Sequence, residues 1–297
     1  NNFAVVTAAR YAGITVDEAR WTPSVSAKVA VDYAMATESD FVKPVLDSQV
    51  PLKDMGMTVR FPEDDYGSVP GHIVDGPEDI DKLHIFDPDN ASECPGFTSI
   101  REALACTASI LPEDLHICGL SWGPITTAGY LMGAENMMFA TMVDPDIVKK
   151  LVTKSAELVS VMERAMIVSG ATLMWMADPT SSEDLISPDM FVEYSRDGIK
   201  KVIDDVKKES DVPNFVHICG NTLETIQHLK ETGADCLSFD HAVDPAKARV
   251  AAGRDLALMG NVDPVKLIMS GTPEQITERS YSIIEAAGQE GGLILAP

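Results

Sequence analysis

NFVHICGNTLETIQHLKETGADCLSFD, residues 214–240, is the stretch on which the fold turns. Its first seven residues are a short apolar run closed by Gly220, residues 222–232 carry a helical pattern stopped by Gly233, and DCLSFD at 235–240 is a second apolar run. Neither run shows the polar alternation of a half-exposed sheet, so both read as strands buried on two faces, joined by a helix in a parallel sheet. Within the first strand His217 and Cys219 stand at an i, i+2 spacing near its end. Alternate strand side chains leave on the same face, so the imidazole and the thiol are expected to point together. An imidazole and a thiolate so placed are half of a zinc site; a catalytic zinc takes three protein ligands and leaves one position open.

The same alternation repeats outward. Apolar runs end in small or polar residues at 41–47 (FVKPVLD), 115–119 (LHICG), 171–178 (ATLMWMAD), 256–261 (LALMGN) and 291–297 (GGLILAP). Between them lie amphipathic helices. Residues 145–168 put Ile147, Val148, Leu151, Val152, Leu158, Val159, Met162 and Met166 on one face, a helix opens at Ser187-Pro188, and another at Thr272-Pro273-Glu274. Seven strands are clear and GHIV at 71–74 is the candidate eighth, which makes a (β/α)8 TIM barrel, one domain over 1–297 expected to lack residues at both ends. The competing arrangement is an open doubly wound sheet. Against it, the glycines of GLSWGPITTAG at 119–129 do not have dinucleotide-binding spacing and no Walker sequence occurs.

Composition narrows the function classes. Lys plus Arg number 23 against 46 Asp plus Glu, a net charge of −23, which argues against nucleic acid or an anionic membrane as partner. Five scattered cysteines argue for reduced thiols rather than a disulfide framework. No 18-residue apolar run occurs and the opening NNFAVVTAARYAG lacks signal-peptide order, so the expected compartment is cytoplasmic.

In a barrel, function gathers at the C-terminal ends of the strands. The residues expected there are Asp47, Gly119 with Trp122, Asp178, His217 with Cys219, Asp240, and Asn261 with Asp263. Nothing basic is prominent among them. Several have structural alternatives: Asp178 as a cap for the next turn, Asn261 and Asp263 as an Asx turn, Trp122 and Trp175 as core packing rather than cavity wall. Cys118 and Cys236 also lie in strands and are read as packing, with completion of the metal shell as the alternative, and His241, next to Asp240 in sequence, is the other histidine with a place near the site.

HICGNTLETIQHLKETGADCLSFD, then VDPAKAR, then LMGNVDPVKLIMSGTPEQI resemble the C-terminal half of the uroporphyrinogen decarboxylase superfamily. MADPTSSEDLISPDMF, LDSQVPLKDMG and GPITTAGYLMG are similar to its branch of cobalamin-dependent methyltransferases, which pass a methyl group between a corrinoid and coenzyme M. The resemblance implies a zinc held by His217 and Cys219, with a further Cys downstream of the last strand, expected here just beyond residue 297. It implies an acidic group, Asp240, beside the metal, and Asp47 at the place where the decarboxylase branch holds its substrate-binding Asp; from their strand-end positions Asp178 is a further catalytic candidate and Trp122 and Asn261 are the cofactor-binding candidates. It also implies a zinc-bound substrate thiolate attacking the methyl group of a methylcobamide. No Asp-x-His-x-x-Gly motif occurs, so the corrinoid is expected as a co-substrate, on a separate corrinoid protein or as free cobamide. The alternatives are a relative that demethylates a small ether or amine onto the corrinoid, a uroporphyrinogen decarboxylase, and a non-catalytic binding barrel. The decarboxylase wants cavity arginines, and the early ones are Arg10, Arg20 and Arg60.

Overall fold

The structure, a computed structural model, describes residues 5–44, 47–112 and 115–297. It contains seven strands, β1 (Phe41–Val42), β2 (His116–Trp122), β3 (Leu173–Ala177), β4 (Asn214–Ile218), β5 (Cys236–Phe239), β6 (Ala257–Asn261) and β7 (Leu293–Ala296). All are parallel and lie in the order β1-β2-β3-β4-β5-β6-β7. Each overlaps one of the apolar runs of the sequence.

The sheet is curled. One apolar cluster gathers Phe41 from β1, Cys118 from β2, Trp175 from β3, Phe215 from β4, Cys236 from β5, Met259 from β6 and Ala296 from β7. In a flat sheet β1 and β7 would stand roughly 29 Å apart, six spacings of about 4.8 Å. Strand parity sorts the rest. On β3, Leu173, Trp175 and Ala177 enter the inner cluster, whereas Met174 and Met176 join the outer layers under the helices. The outer layer is built as the helical patterns require, with Val148, Leu151, Val152, Leu158, Val159, Met162 and Met166 of the Pro145–Val168 helix all buried. Ser187 caps the helix that begins at Pro188, and Thr272 with Gln275 forms a capping box.

The eighth strand is not GHIV. The backbone N–H groups of Ile73 and Val74 both donate to the Leu131 carbonyl at 2.9 Å, the end of the Pro124–Met132 helix, so the segment packs on a helix terminus instead of joining a ladder. Among the described residues the barrel therefore has seven strands, and β1 and β7 are not paired. FVKPVLD is shorter as a strand than expected: β1 ends at Val42, while Val45 and Leu46 lie outside the described residues. The helix expected at 222–232 is confined to Ile226–Lys230, and Gly233 ends it at φ +82°. Among the described residues no helix is long and apolar enough to cross a membrane.

Candidate active site

Above the inner cluster, at the C-terminal ends of the strands, the side chains draw apart and leave a cavity of about 550 Å³. Its wall includes Lys43, Tyr66, Trp122, Trp175, His217 and Cys219, and the rest of the lining is apolar or uncharged. Both tryptophans weighed between core and cavity thus face the cavity, with Trp122 also packed on Tyr130 at 5.6 Å between ring centroids.

His217 and Cys219 meet as their spacing predicts. His217 Nε2 lies 3.1 Å from Cys219 Sγ, and His217 Nδ1 lies 2.9 Å from Ser238 Oγ on β5. The imidazole stacks on Trp175, ring centroids 5.8 Å apart. Ser238 and Trp175 therefore fix the ring's direction and leave Nε2 as the atom aimed at the sulfur. Burial holds the His217 pKa below its ordinary value, so the imidazole is neutral and its lone pair is available; burial first and the Asp240 charge second hold the Cys219 thiol above its own. The chemistry of the pair suits zinc. A nitrogen and a sulfur on one tetrahedral zinc, at about 2.05 and 2.3 Å from it, stand roughly 3.5 Å apart, so the observed separation needs only a few tenths of an ångström of opening.

The loop that carries Cys219 onward is tied across to the loop after β3. Glu183 accepts from the N–H groups of Glu224 at 2.7 Å and Thr225 at 3.0 Å and from Asn221 Nδ2 at 2.8 Å, while its own N–H donates to the Asn221 carbonyl. Gly220 turns at φ +71°, and a Cβ there would fall 1.9 Å from Asp184 Oδ2. Only glycine makes that turn beneath the Asp184 carboxylate.

The other expected site residues are placed as follows. Asp240 accepts from His241 Nδ1 at 2.8 Å and from the Ala242 N–H at 2.9 Å. Its carboxylate is therefore held by its own loop, and among the described residues no three His, Cys, Asp or Glu side chains stand together as a metal cluster. The Asp240 charge nevertheless acts on both His217 and Cys219. Asp47 is buried behind the wall, bound by Arg20 Nε at 3.0 Å, the Gly67 N–H at 2.7 Å and the Gln49 N–H at 3.1 Å, so its oxygens are spent on the fold. Asp178 leaves β3 on the outward parity and caps the Pro124–Met132 helix through the Thr126 N–H at 2.9 Å; a Cβ on Gly123 would strike it at 2.2 Å. Burial raises its pKa to about 6. The Asn261 amide donates to the carbonyls of Asp240 and Val243, and Asp263 caps the following turn through the N–H groups of Val265 and Lys266. Cys118 and Cys236 are buried in the inner cluster, each thiol pushed up to about 12 by burial.

Two wall residues were legible and missed. Lys43 follows Phe41 by two and Ser238 follows Cys236 by two, so strand parity alone sends each inward beside a residue of the inner cluster. The expectation that nothing basic lies at the strand ends is thereby corrected. Lys43 is 4 % exposed, and burial brings its pKa down to about 8 against the opposing pull of Cys118 and Asp47.

Known proteins share this architecture. The chain is 27 % identical over 261 residues to a methylated-thiol–coenzyme M methyltransferase of Methanosarcina mazei, covering 86 % of this chain and 68 % of that protein. It is 30 % identical over 220 residues to the methylcobamide:CoM methyltransferase MtbA of the same organism, covering 74 % and 62 %. A uroporphyrinogen decarboxylase of Nostoc punctiforme is 27 % identical over 286 residues, covering 92 % and 76 %. The chain therefore spans about two thirds of the methyltransferases it matches. A solved structure, a methyltransferase from Methanosarcina mazei, superposes with a TM-score of 0.86 at 22 % identity over 98 % of this chain and 83 % of that one. A B12-independent methionine synthase from Shewanella sp. W3-18-1 gives a TM-score of 0.57 at 12 % identity over 92 % and 79 %. These likenesses establish a uroporphyrinogen decarboxylase-like β/α-barrel fold. With the family profile described as Uroporphyrinogen decarboxylase (URO-D) matching residues 2–297, the chain belongs to that family.

Proposed function

We propose that the protein is a zinc-dependent methyltransferase that moves a methyl group between a corrinoid, as methylcobamide, and a small thiol such as coenzyme M. The observation that carries this reading is the approach of His217 Nε2 to Cys219 Sγ at 3.1 Å on the wall of the strand-end cavity. Its relatives named for coenzyme M and methylcobamide support the same chemistry. A bound zinc supplies an acidic site that lowers the pKa of a substrate thiol. His217 and Cys219 are its proposed ligands, and Ser238 holds the imidazole in the orientation that presents Nε2. Trp122, Trp175 and Leu120 give the cavity an apolar wall that excludes water from the reacting sulfur. The corrinoid would come as a co-substrate, on a separate corrinoid protein or as free cobamide. A demethylase passing a methyl group from a small substrate to the corrinoid would use the same pair.

The decarboxylase reading fits the wall less well. A tetrapyrrole bearing many carboxylates calls for several cations, and Lys43 is the one Lys or Arg lining the cavity among the described residues. Arg20 is engaged by Asp47 and Asp17, and Arg10 and Arg60 are exposed. The test is metal content together with turnover. The wild-type protein should bind zinc near one per chain and, with methylcobalamin and thiol, give the absorbance change of cobalt(III) to cobalt(I). Cys219→Ser should lose both with its thermal unfolding little changed, because a large barrel core does not need the metal to assemble. Equal stoichiometric zinc in the two proteins would remove Cys219 from the site.

A further inference from the structure

Arg20 and Asp47 form an ion pair at 3.0 Å with each side chain 1 % exposed, and neither lines the cavity. A buried ion pair recovers little of its desolvation cost as stability. What this pair holds is one wall. The Asp47 carboxylate accepts from the Gln49 N–H at 3.1 Å through Oδ1 and from the Gly67 N–H at 2.7 Å through Oδ2. The Arg20 guanidinium donates to the carbonyls of Pro62, at 3.3 Å, and of Asp65, and its carbon lies 4.9 Å from the centre of the Phe61 ring. Residues 60–68 thus form a loop closed at its neck by two hydrogen bonds of 2.8 Å between Arg60 and Ser68, and the Asp17 N–H ties it once more through the Glu63 carbonyl at 2.8 Å. Two segments of cavity wall depend on the pair: Ser48 and Gln49, which follow Asp47 directly, and Tyr66, which precedes Gly67. They press together at Gly67, where a Cβ would fall 2.8 Å from the Phe61 ring and 3.1 Å from Gln49 Cβ. The Tyr66 hydroxyl is held in turn by the backbone of Val5.

β1 and β4 are separated by β2 and β3 in the curled sheet, so Cys219, just after β4, faces the cavity from a different side than the wall that follows β1. A wall pinned at both of its segments cannot yield to a larger ligand, whereas a loose one can. We propose that Arg20 and Asp47 are positioning residues that fix the width of the cavity, and that Tyr66 is the side chain through which they limit the bulk of the ligand admitted beside Cys219. A slender, unbranched ligand passes and a globular one is turned away. The inference goes beyond the methyl-transfer reading: it needs the cavity to be the ligand site and no particular reaction within it.

The test reads access to Cys219 in the metal-free full chain, so its outcome is separate from that of methyl transfer. Iodoacetamide and its N-adamantyl derivative share one reacting carbon and differ in bulk; their rates are followed cysteine by cysteine by peptide mass spectrometry, with glutathione as the unhindered reference. In wild-type protein the preference for the small probe at Cys219 should exceed that at glutathione by about tenfold, equivalent to about 1.4 kcal/mol of barrier. Tyr66→Ala should bring the preference down to that of glutathione, and Tyr66→Phe, which keeps the ring, should retain most of it. Arg20→Lys keeps a cation beside Asp47 but gives up the fork that reaches Pro62 and Asp65, and should lose the preference as well. Cys118 and Cys236, buried in the inner cluster, should stay unlabelled throughout. A wild-type preference equal to that of glutathione would overturn the inference, as would one undiminished in Tyr66→Ala or in Arg20→Lys. Labelling of Cys118 and Cys236 in either variant would show contacts that hold up the whole core instead of one wall, and would overturn it equally.

Discussion

At the scale of the residue, His217 is held by its neighbours on every side that matters. Ser238 takes Nδ1, Trp175 stacks on the ring, and Nε2 is left facing Cys219. Ser238→Ala frees the ring to turn and is expected to cost about 10- to 100-fold in zinc affinity, as loss of such supporting hydrogen bonds does, with little change in melting temperature. Chelator competition measures it, and an unchanged affinity would mean that packing alone orients the imidazole. Glu163 presents a different case, outside the cavity lining. Its Oε1 accepts from Ser121 at 2.6 Å, its Oε2 is buried with no hydrogen-bond partner, and burial raises its pKa from 4.5 to about 7. Between those two values the folded chain holds a proton that the unfolded chain releases, so this group makes stability fall as pH rises through the window and level off above it. Glu163→Gln lacks the titration. Its stability relative to wild type is therefore expected to improve by about 3 kcal/mol from about pH 4.5 to about pH 8. Urea unfolding at the two pH values checks this, and a difference that does not change with pH would contradict it.

At the scale of the element, the rim of the site is set by one loop tied to another. The Glu183 carboxylate collects two backbone N–H groups and the Asn221 amide from the loop after β4. Glu183→Ala is expected to cost about 1–3 kcal/mol and to speed hydrogen exchange at the amides of Glu224 and Thr225. Unchanged protection there would show that the loop holds its shape without Glu183. The strands and the His217–Cys219 approach were legible because buried parallel strands are unbroken apolar runs and because a period of two is rigid once the strand is known. Lys43 and Ser238 obeyed the same period and could have been read from it. The carboxylates could not. Asp47, Asp178 and Asp240 each sit near a strand end, where a carboxylate serves equally well to receive backbone N–H groups or to face a ligand. Only the partners decide: Arg20 for Asp47, the helix beginning at Pro124 for Asp178, His241 for Asp240. GHIV misled for a related reason, since an apolar tetrapeptide fits a helix terminus as well as a sheet edge.

At the scale of the molecule, a curled seven-stranded sheet brings β1 and β4 around a single cavity, and a surface of 46 carboxylates against 23 basic side chains surrounds it. Self-repulsion of that surface opposes compaction. Raising salt from about 10 mM to about 150 mM shortens the screening distance from roughly 30 Å to roughly 8 Å and is expected to raise the melting temperature; a flat or falling trend would mean that local ion pairs already balance the charge. The central claim concerns two atoms on that cavity's wall, and X-ray absorption at the zinc edge of the loaded protein reads them directly. The account predicts at least one sulfur near about 2.3 Å and one imidazole nitrogen near about 2.0–2.1 Å, with Cys219→Ser losing one sulfur and His217→Ala losing the nitrogen. A zinc shell in wild-type protein without sulfur, or one that is the same in Cys219→Ser, would contradict it.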